Sequence, residues 1–381
     1  MRFCDSIEWI PRRQTRRLFF KANNDEGRRT ALVVCEHTFV TLCCVRTLRR
    51  RILWVFTQWG YQALQLSDSA YLTFVHDRLK LPKGKRSDYI AQVDTLIERF
   101  TKTAAETPDL QVKRFLKTGS LWKGTVMRPR AGNGVDADIA VFIEIEETPA
   151  ALENLHQRIK DLLKKTYPTK ADSDFKLQPR TLGIHFVDSD LDVDLVPIIP
   201  VVGPGDFGLQ PSSQGDPLIR TSVAGQLKFI RSHKDAYNNW AALVRLIKRW
   251  RDNKEVPLRS FAIELITCFL QDRDGIPSSI DEGLSRFWLF VAQELLSTVV
   301  SFGAINGGLG VGNYDASSVV VIDPVNADNN VTRRIDSNEA GDLTEIATES
   351  WERHHEGRTA GSKAATLEQL REIFGNDFNF E

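Results

Sequence analysis

The sequence predicts an α/β fold of the α+β kind, a core sheet with helices, followed by a mainly helical half. Three observations lead there. Asp138–Glu146 and Leu182–Pro197 are apolar runs of strand character, and the second alternates with the two-residue period of a half-buried strand. Between them, Pro149–Thr166 is amphipathic at helical spacing. From Gly225 onward, Trp240–Trp250, Ser260–Leu270 and Gly283–Val300 read as helices. The Gly- and Pro-dense stretch "VVGPGDFGLQPSSQGDP" (Val201–Pro217) reads as loop and places the boundary near Gly215.

Before the first strand, Leu66–Leu81 and Ser87–Ala105 read as helices. In the second, Ile90, Val93, Leu96, Ile97 and Phe100 recur at helical spacing. Phe115–Thr118 then leads into "GSLWKGT". Residues 1–60 keep neither period for long. The expected organisation is a basic N-terminal extension over 1–63, an α/β core over 64–215, a helical half over 216–356 and a tail over 357–381.

The 381 residues are 42% hydrophobic, enough for a sizeable core, and 50 basic residues balance 50 acidic ones. The balance hides an asymmetry. Residues 1–60 carry 12 Lys and Arg against 5 Asp and Glu, and the remainder carries 38 against 45. The acidic remainder argues against a long basic groove, and so against activation by nucleic acid. Five cysteines without metal spacing point to a reducing, cytoplasmic setting. Ala31–Phe56 is broken by too many charges to span a membrane, and its basic cluster comes too late for a secretion signal.

The chemistry starts from "VDADIAVF" (Val135–Phe142). Asp136 and Asp138 are one residue apart, so on a strand they share a face and repel each other. Either the strand end is solvated or a cation lies between them. Asp192 and Asp194 repeat the spacing on another strand. Three carboxylates meeting across neighbouring strands make an oxygen-rich pocket suited to two Mg²⁺ ions, with Mn²⁺ as an equivalent hard cation. Gly119–Ser120 joins two elements. A glycine there lets the backbone approach phosphate, and the hydroxyl with successive N–H groups can hold its oxygens.

"GSLWKGT", then "DADIAVFI", then "LDVDLVPIIP" resembles the DNA-polymerase-beta-type nucleotidyltransferase superfamily. "AALVRLIKRWRD", "PLRSFAIELI" and "VVIDPVNADNNV" resemble the helical half of oligoadenylate synthetases and of the bacterial cGAS/DncV-like nucleotidyltransferases, the CD-NTases. The resemblance runs from about Leu64 to about Glu356 and implies an active site in the cleft between a catalytic core and the helical half. It implies that Gly119 and Ser120 grip a donor triphosphate and that Asp136, Asp138 and Asp194 bind two Mg²⁺. It selects Asp194 over Asp192 because the family's third acid precedes an apolar pair and a proline, here Leu195-Val196-Pro197. Lys248 is implied to meet the phosphates, Ser260 to add a hydrogen bond and Phe261, where many relatives have Tyr, to stack on a base.

The implied activity joins ATP, GTP or both into a cyclic di- or trinucleotide with release of pyrophosphate, as a second messenger in antiphage defence. A linear oligoadenylate synthetase-like enzyme, or a toxin-type transferase acting on RNA or protein, is the alternative. Plainer readings stand beside these. Arg245, Lys248, Arg249 and Arg251 also fit a solvated basic face, and Phe261 a core position. His354 and His355 read as exposed helix residues, and "GGLGVG" (Gly307–Gly312) as a chance likeness to a dinucleotide loop. Residues 1–60 read as a poorly ordered or mis-assigned N terminus, with translation starting near Leu64. The other readings are a basic arm that docks on nucleic acid or a regulatory protein partner, and an ordered subdomain.

Overall fold

The computed structural model describes residues 66–107, 110–129, 134–145, 149–203, 206–303 and 318–379, together with four short strands before residue 41. The chain divides into two units, Met1–Gln62 and Ala63–Glu381. In the first, β1 (Ile7–Trp9), β2 (Leu18–Lys21), β3 (Thr30–Val34) and β4 (Phe39–Val40) pair antiparallel in that order. The readings of an arm, a start site and a dinucleotide loop fall largely on residues outside the described ones.

The second unit begins with α1 (Asp68–Phe74), which runs into a π turn at Val75–Leu79. In α2 (Lys83–Ala105), Tyr89, Val93, Leu96, Phe100 and Ala104 recur every three or four residues and are the buried stripe. There follow β5 (Gln111–Thr118), the short α3 (Gly119–Lys123), β6 (Val135–Glu144) and α4 (Pro149–Thr166). The alternating run at 182–197 is two antiparallel strands rather than one. After β7 (Phe175–Leu177), β8 (Leu182–Phe186) turns at Asp190, which takes the left-handed φ of 54°, into β9 (Leu191–Pro200). The loop expected over 201–217 contains β10 (Gly208–Gln210), and β11 (Ile219–Thr221) pairs with it.

The sheet order is β11-β10-β9-β6-β5, with β8 also on β9 and β7 on β8. β6 and β9 run parallel, because α4 lies in the crossover between them. Strand periodicity then decides the two faces. Ala137, Ile139, Val141 and Ile143 of β6, with Val193 and Leu195 of β9, are buried with α2 and α4 in one core. Asp136, Asp138, Ala140 and Phe142 alternate with them and take the opposite face. There Ala140, Phe142 and Ile198 pack against Val223 and Leu227 of α5 (Val223–Ala236). So α5 covers one end of this face and the aspartates lie toward the other.

The helical half adds α6 (Trp240–Lys254), α7 (Ser260–Asp274) and α8 (Ile280–Gln293). A hairpin of β12 (Ile322–Asp323) and β13 (Asn326–Asn330) precedes α9 (Ser337–Thr359) and α10 (Lys363–Phe374). Its core is built on Trp240, Trp250 and Trp288, all fully buried. Two segments assigned elsewhere from sequence belong to this core. Leu66, Tyr71 and Phe74 of the expected α/β part pack here, and so do Leu370, Ile373, Phe374 and Phe378 of the expected tail.

His354 differs from its reading as an exposed residue, because α9 packs on α8. It is 1% exposed, with Nε2 2.8 Å from Asp281 Oδ1, to which the Tyr71 hydroxyl also donates at 2.8 Å. Burial works against the Asp281 carboxylate, but His354, Arg358 and Tyr71 hold it below the usual carboxylate range. Among the described residues no helix is long and apolar enough to cross a membrane.

Candidate active site

Parallel pairing of β6 and β9 puts Asp136 opposite Asp192 and Asp138 opposite Asp194. Because paired residues share a face, four carboxylates face one side of the sheet. Their environment separates them. Asp192 accepts a contact from His185 Nδ1 at 3.1 Å and has Lys176 Nζ at 3.6 Å, both outside the acidic pair. Asp194 has a weak contact from Gln178 at 3.5 Å and otherwise faces acids. Its pKa is pushed up to about 7, by burial first and then by the charges of Asp138, Asp136 and Asp192. Burial also raises Asp138, against the pull of Lys123, and burial with the Asp192 charge raises Asp136.

Gly119 closes the site from β5. Thr118 pairs with Asp138, and the next residue turns at φ 75°, where a side chain is strained. A Cβ on Gly119 would come within 1.8 Å of Asp138 Oδ2. Only glycine lets the backbone pass so close to that carboxylate. Ser120 follows in α3, and its carbonyl accepts from Thr125 N at 2.9 Å and Val126 N at 3.1 Å, which ties the turn back on itself.

The helical half grips this turn by its carbonyls. Lys234 Nζ donates to Lys123 O at 3.0 Å, and Arg245 donates to Val126 O at 3.0 Å and Gly124 O at 2.5 Å. The solvated basic face read for α6 is therefore not found at its centre. Arg245 is 6% exposed and Lys248 2%, because backbone carbonyls and Glu264 of α7 supply their acceptors. Burial lowers Arg245 to about 10. Lys248 Nζ lies 3.0 Å from Glu264 Oε1 and 3.1 Å from Thr125 Oγ1. Ser260, the first residue of α7, accepts from Arg251 Nη1 at 3.0 Å. Phe261 is half-buried against the helical core, and Lys123 Nζ lies over its ring, 4.6 Å from the centroid.

Lys123 and Glu264 are the residues that sequence reasoning passed over. Lys123 stands inside the quoted "GSLWKGT". Glu264 is a lone charge in the apolar run of α7, and that lone charge was the available signal.

Among the described residues no three His, Cys, Asp or Glu side chains gather into a coordination shell. The donor set is nonetheless all carboxylate oxygen on one face, with carboxyls raised by one another's charge. A hard divalent cation relieves both conditions, so the residues fit one.

No family model matches the chain. Among curated proteins, a CBASS oligonucleotide cyclase CdnC from Escherichia coli strain KTE188 is 34% identical over 304 residues, covering 80% of this chain and 94% of the relative. A cyclic AMP-AMP-AMP synthase from Escherichia coli strain MS 115-1 is 29% identical over 318 residues, 80% of this chain and 95% of the relative. The solved structure of Escherichia coli MS115-1 CdnC with ATP superposes with a TM-score of 0.72 at 29% identity, covering 82% of this chain and 99% of that one. The complex of that CdnC with HORMA-deltaN gives 0.70 at 28%, over 82% and 98%.

Proposed function

Because this chain belongs to the CD-NTase family of CBASS oligonucleotide cyclases and is a nucleotidyltransferase, we propose that it joins ATP, GTP or both into a cyclic di- or trinucleotide by a Mg²⁺-dependent reaction. The observation that carries the proposal is the in-register pair Asp138–Asp194, pressed on by the Gly119 backbone. In this reading, Gly119 and Ser120 seat the donor triphosphate. Asp136, Asp138 and Asp194 hold two Mg²⁺, for which Mn²⁺ can substitute. When bound there, the cations supply charge neutralisation to the triphosphate and stabilise the attacking and leaving oxygens. Asp194 accepts the proton of the acceptor hydroxyl, which attacks the α-phosphorus as pyrophosphate leaves. A second transfer that returns to the first nucleotide closes the ring.

On the helical side, Phe261 offers part of its ring to a base, and Lys248 adds positive charge from behind the phosphate turn. Ser260 lies at the same end of α7 and adds a hydrogen bond. A cytoplasmic setting, with its supply of nucleoside triphosphates, belongs to the same reading. So does a regulatory protein partner, since a related CdnC forms a complex with HORMA-deltaN.

Incubation with Mg²⁺ and four labelled nucleoside triphosphates, followed by phosphatase, tests the proposal. The expected result is a small phosphatase-resistant product and loss of all of it in EDTA. Label that is wholly released by phosphatase, or that stays on protein, would overturn it.

A further inference from the structure

Lys123, Thr125, Lys248 and Glu264 form one buried polar cluster next to the acidic strand ends. Glu264 stands in α7 among Ala262, Ile263, Leu265 and Ile266, all fully buried. Its carboxylate accepts from Lys123 Nζ at 2.8 Å, from Thr125 Oγ1 at 2.8 Å and from Lys248 Nζ at 3.0 Å. Glu264 is 1% exposed, Lys248 2% and Lys123 8%. Two ammoniums on one carboxylate leave an excess positive charge in a place where desolvating each ion is costly. Apolar side chains of similar size would join the two halves without that penalty, so the charges themselves need a use.

The position of Lys123 supplies one. Of the cations around Asp138 it exerts the strongest pull. Its ammonium also lies over the Phe261 ring and on Glu264. It is the last residue of α3, the turn that begins with Gly119–Ser120. One side chain therefore links the carboxylate face, the phosphate turn and the expected base-stacking ring, and Glu264 is what holds it.

We propose that Glu264 is a positioning residue for nucleotidyl transfer. By holding Lys123 Nζ it fixes the Gly119–Lys123 turn against α7, so that Asp138, the Gly119–Ser120 backbone and the Phe261 ring meet the donor nucleotide in one arrangement. Lys248 and Thr125 are the two further tethers that keep the Glu264 carboxylate in one rotamer. The proposal rests on the nucleotidyl-transfer reading above.

The test compares the full chain with Glu264→Gln, Lys123→Met, the double variant and Glu264→Asp. Gln keeps the size and the acceptor oxygen but loses the charge. Melting temperature is measured first, and kcat and KM for nucleoside triphosphates are then taken well below the lowest transition. Glu264→Gln and Lys123→Met are each expected to lower kcat/KM at least tenfold in folded protein. The double variant should fall no further than the worse single one, and Glu264→Asp should recover part of the loss. Wild-type kcat and KM in folded Glu264→Gln would show a merely structural role and overturn the proposal, as would losses that multiply independently. If Glu264→Gln does not fold, Lys123→Met carries the test alone, and wild-type constants in it are fatal. Absence of product from the unsubstituted chain would instead overturn the nucleotidyl-transfer reading.

Discussion

Asp138 and Asp194 stand opposite each other on parallel strands, eight residues of which pair without a register shift. That register makes one acidic face from two separate Asp-x-Asp motifs. A slip of one residue would turn every aspartate of one strand into the α2–α4 core. The relationship is held by the backbone ladder of the two strands and by apolar packing behind them, where Ala137, Ile139 and Val141 of β6 and Val193 and Leu195 of β9 are buried in one core. The acids repel one another across it.

Asp136→Asn with Asp138→Asn should therefore remove activity and leave the fold. Product formation is expected to drop by about three orders of magnitude or more, roughly 4 kcal/mol of transition-state stabilisation. Relief of like-charge repulsion and of carboxylate burial should leave the melting temperature of the metal-free protein unchanged or slightly higher. The second readout is calorimetric. Mg²⁺ with a non-hydrolysable ATP analogue should raise the transition of the parent and not of the double variant. Near-normal synthesis in the variant would show that the metal assignment is wrong.

The alternating pair on β9 can be split. Asp194→Ala should be inactive, because Asp194 faces Asp138. Asp192→Ala should keep a rate within about tenfold of the parent, because Asp192 is engaged with His185 and Lys176. Initial rates at saturating nucleotide decide between them, and the reverse ranking would assign the third carboxylate to Asp192.

Gly119→Ala tests the close approach of backbone to carboxylate. A left-handed φ alone costs a non-glycine residue about 1–2 kcal/mol. The added methyl would also displace the Asp138 carboxylate, whose Oδ2 lies 1.8 Å from the Cβ position. A fall in melting temperature of a few degrees is expected, together with loss of activity by at least about a hundredfold. A variant that is destabilised but retains its specific activity would separate Gly119 from the chemistry.

Much of this site could be read from the sequence because strand periodicity is local. Two residues of spacing place Asp136 beside Asp138, and the same rule places Asp192 beside Asp194. The helix over 149–166 was equally legible, since its apolar stripe needs no partner to be seen. What failed to show was long-range. Arg245 and Lys248 carry the pattern of a solvated face, and only the approach of Gly124, Val126 and Glu264 from other elements makes that face interior. His354 is 73 residues from Asp281, and nothing near either one announces the pair. The run at 182–197 reads as one alternation only if the phase is ignored. The core-facing residues are Leu182, Ile184 and Phe186 in β8 and Leu191, Val193 and Leu195 in β9, and this switch from even to odd positions at the turn is what marks the hairpin.

His156 gives a prediction on stability. It is 1% exposed on α4, and neither ring nitrogen has a hydrogen-bond partner. Burial, with a smaller push from Arg180, lowers its pKa to about 4. In the unfolded chain an imidazole titrates near 6.5. Between those two values the unfolded state holds a proton that the folded state does not, so folding stability rises with pH across this window. The contribution is complete above about pH 6.5 and is lost as the pH falls toward 4, for a total on the order of 3 kcal/mol. His156→Phe removes the titrating group and the two unpartnered nitrogens while keeping a planar ring of similar size. Urea unfolding at a series of pH values from 4 to 7 should show the difference. At pH 7 the two proteins should differ by less than about 1.5 kcal/mol. Below pH 6 the parent should lose stability faster, with the gap growing by as much as about 1.4 kcal/mol per pH unit. Parallel stability curves for the two proteins would mean that His156 is protonated in the folded state as readily as in the unfolded one.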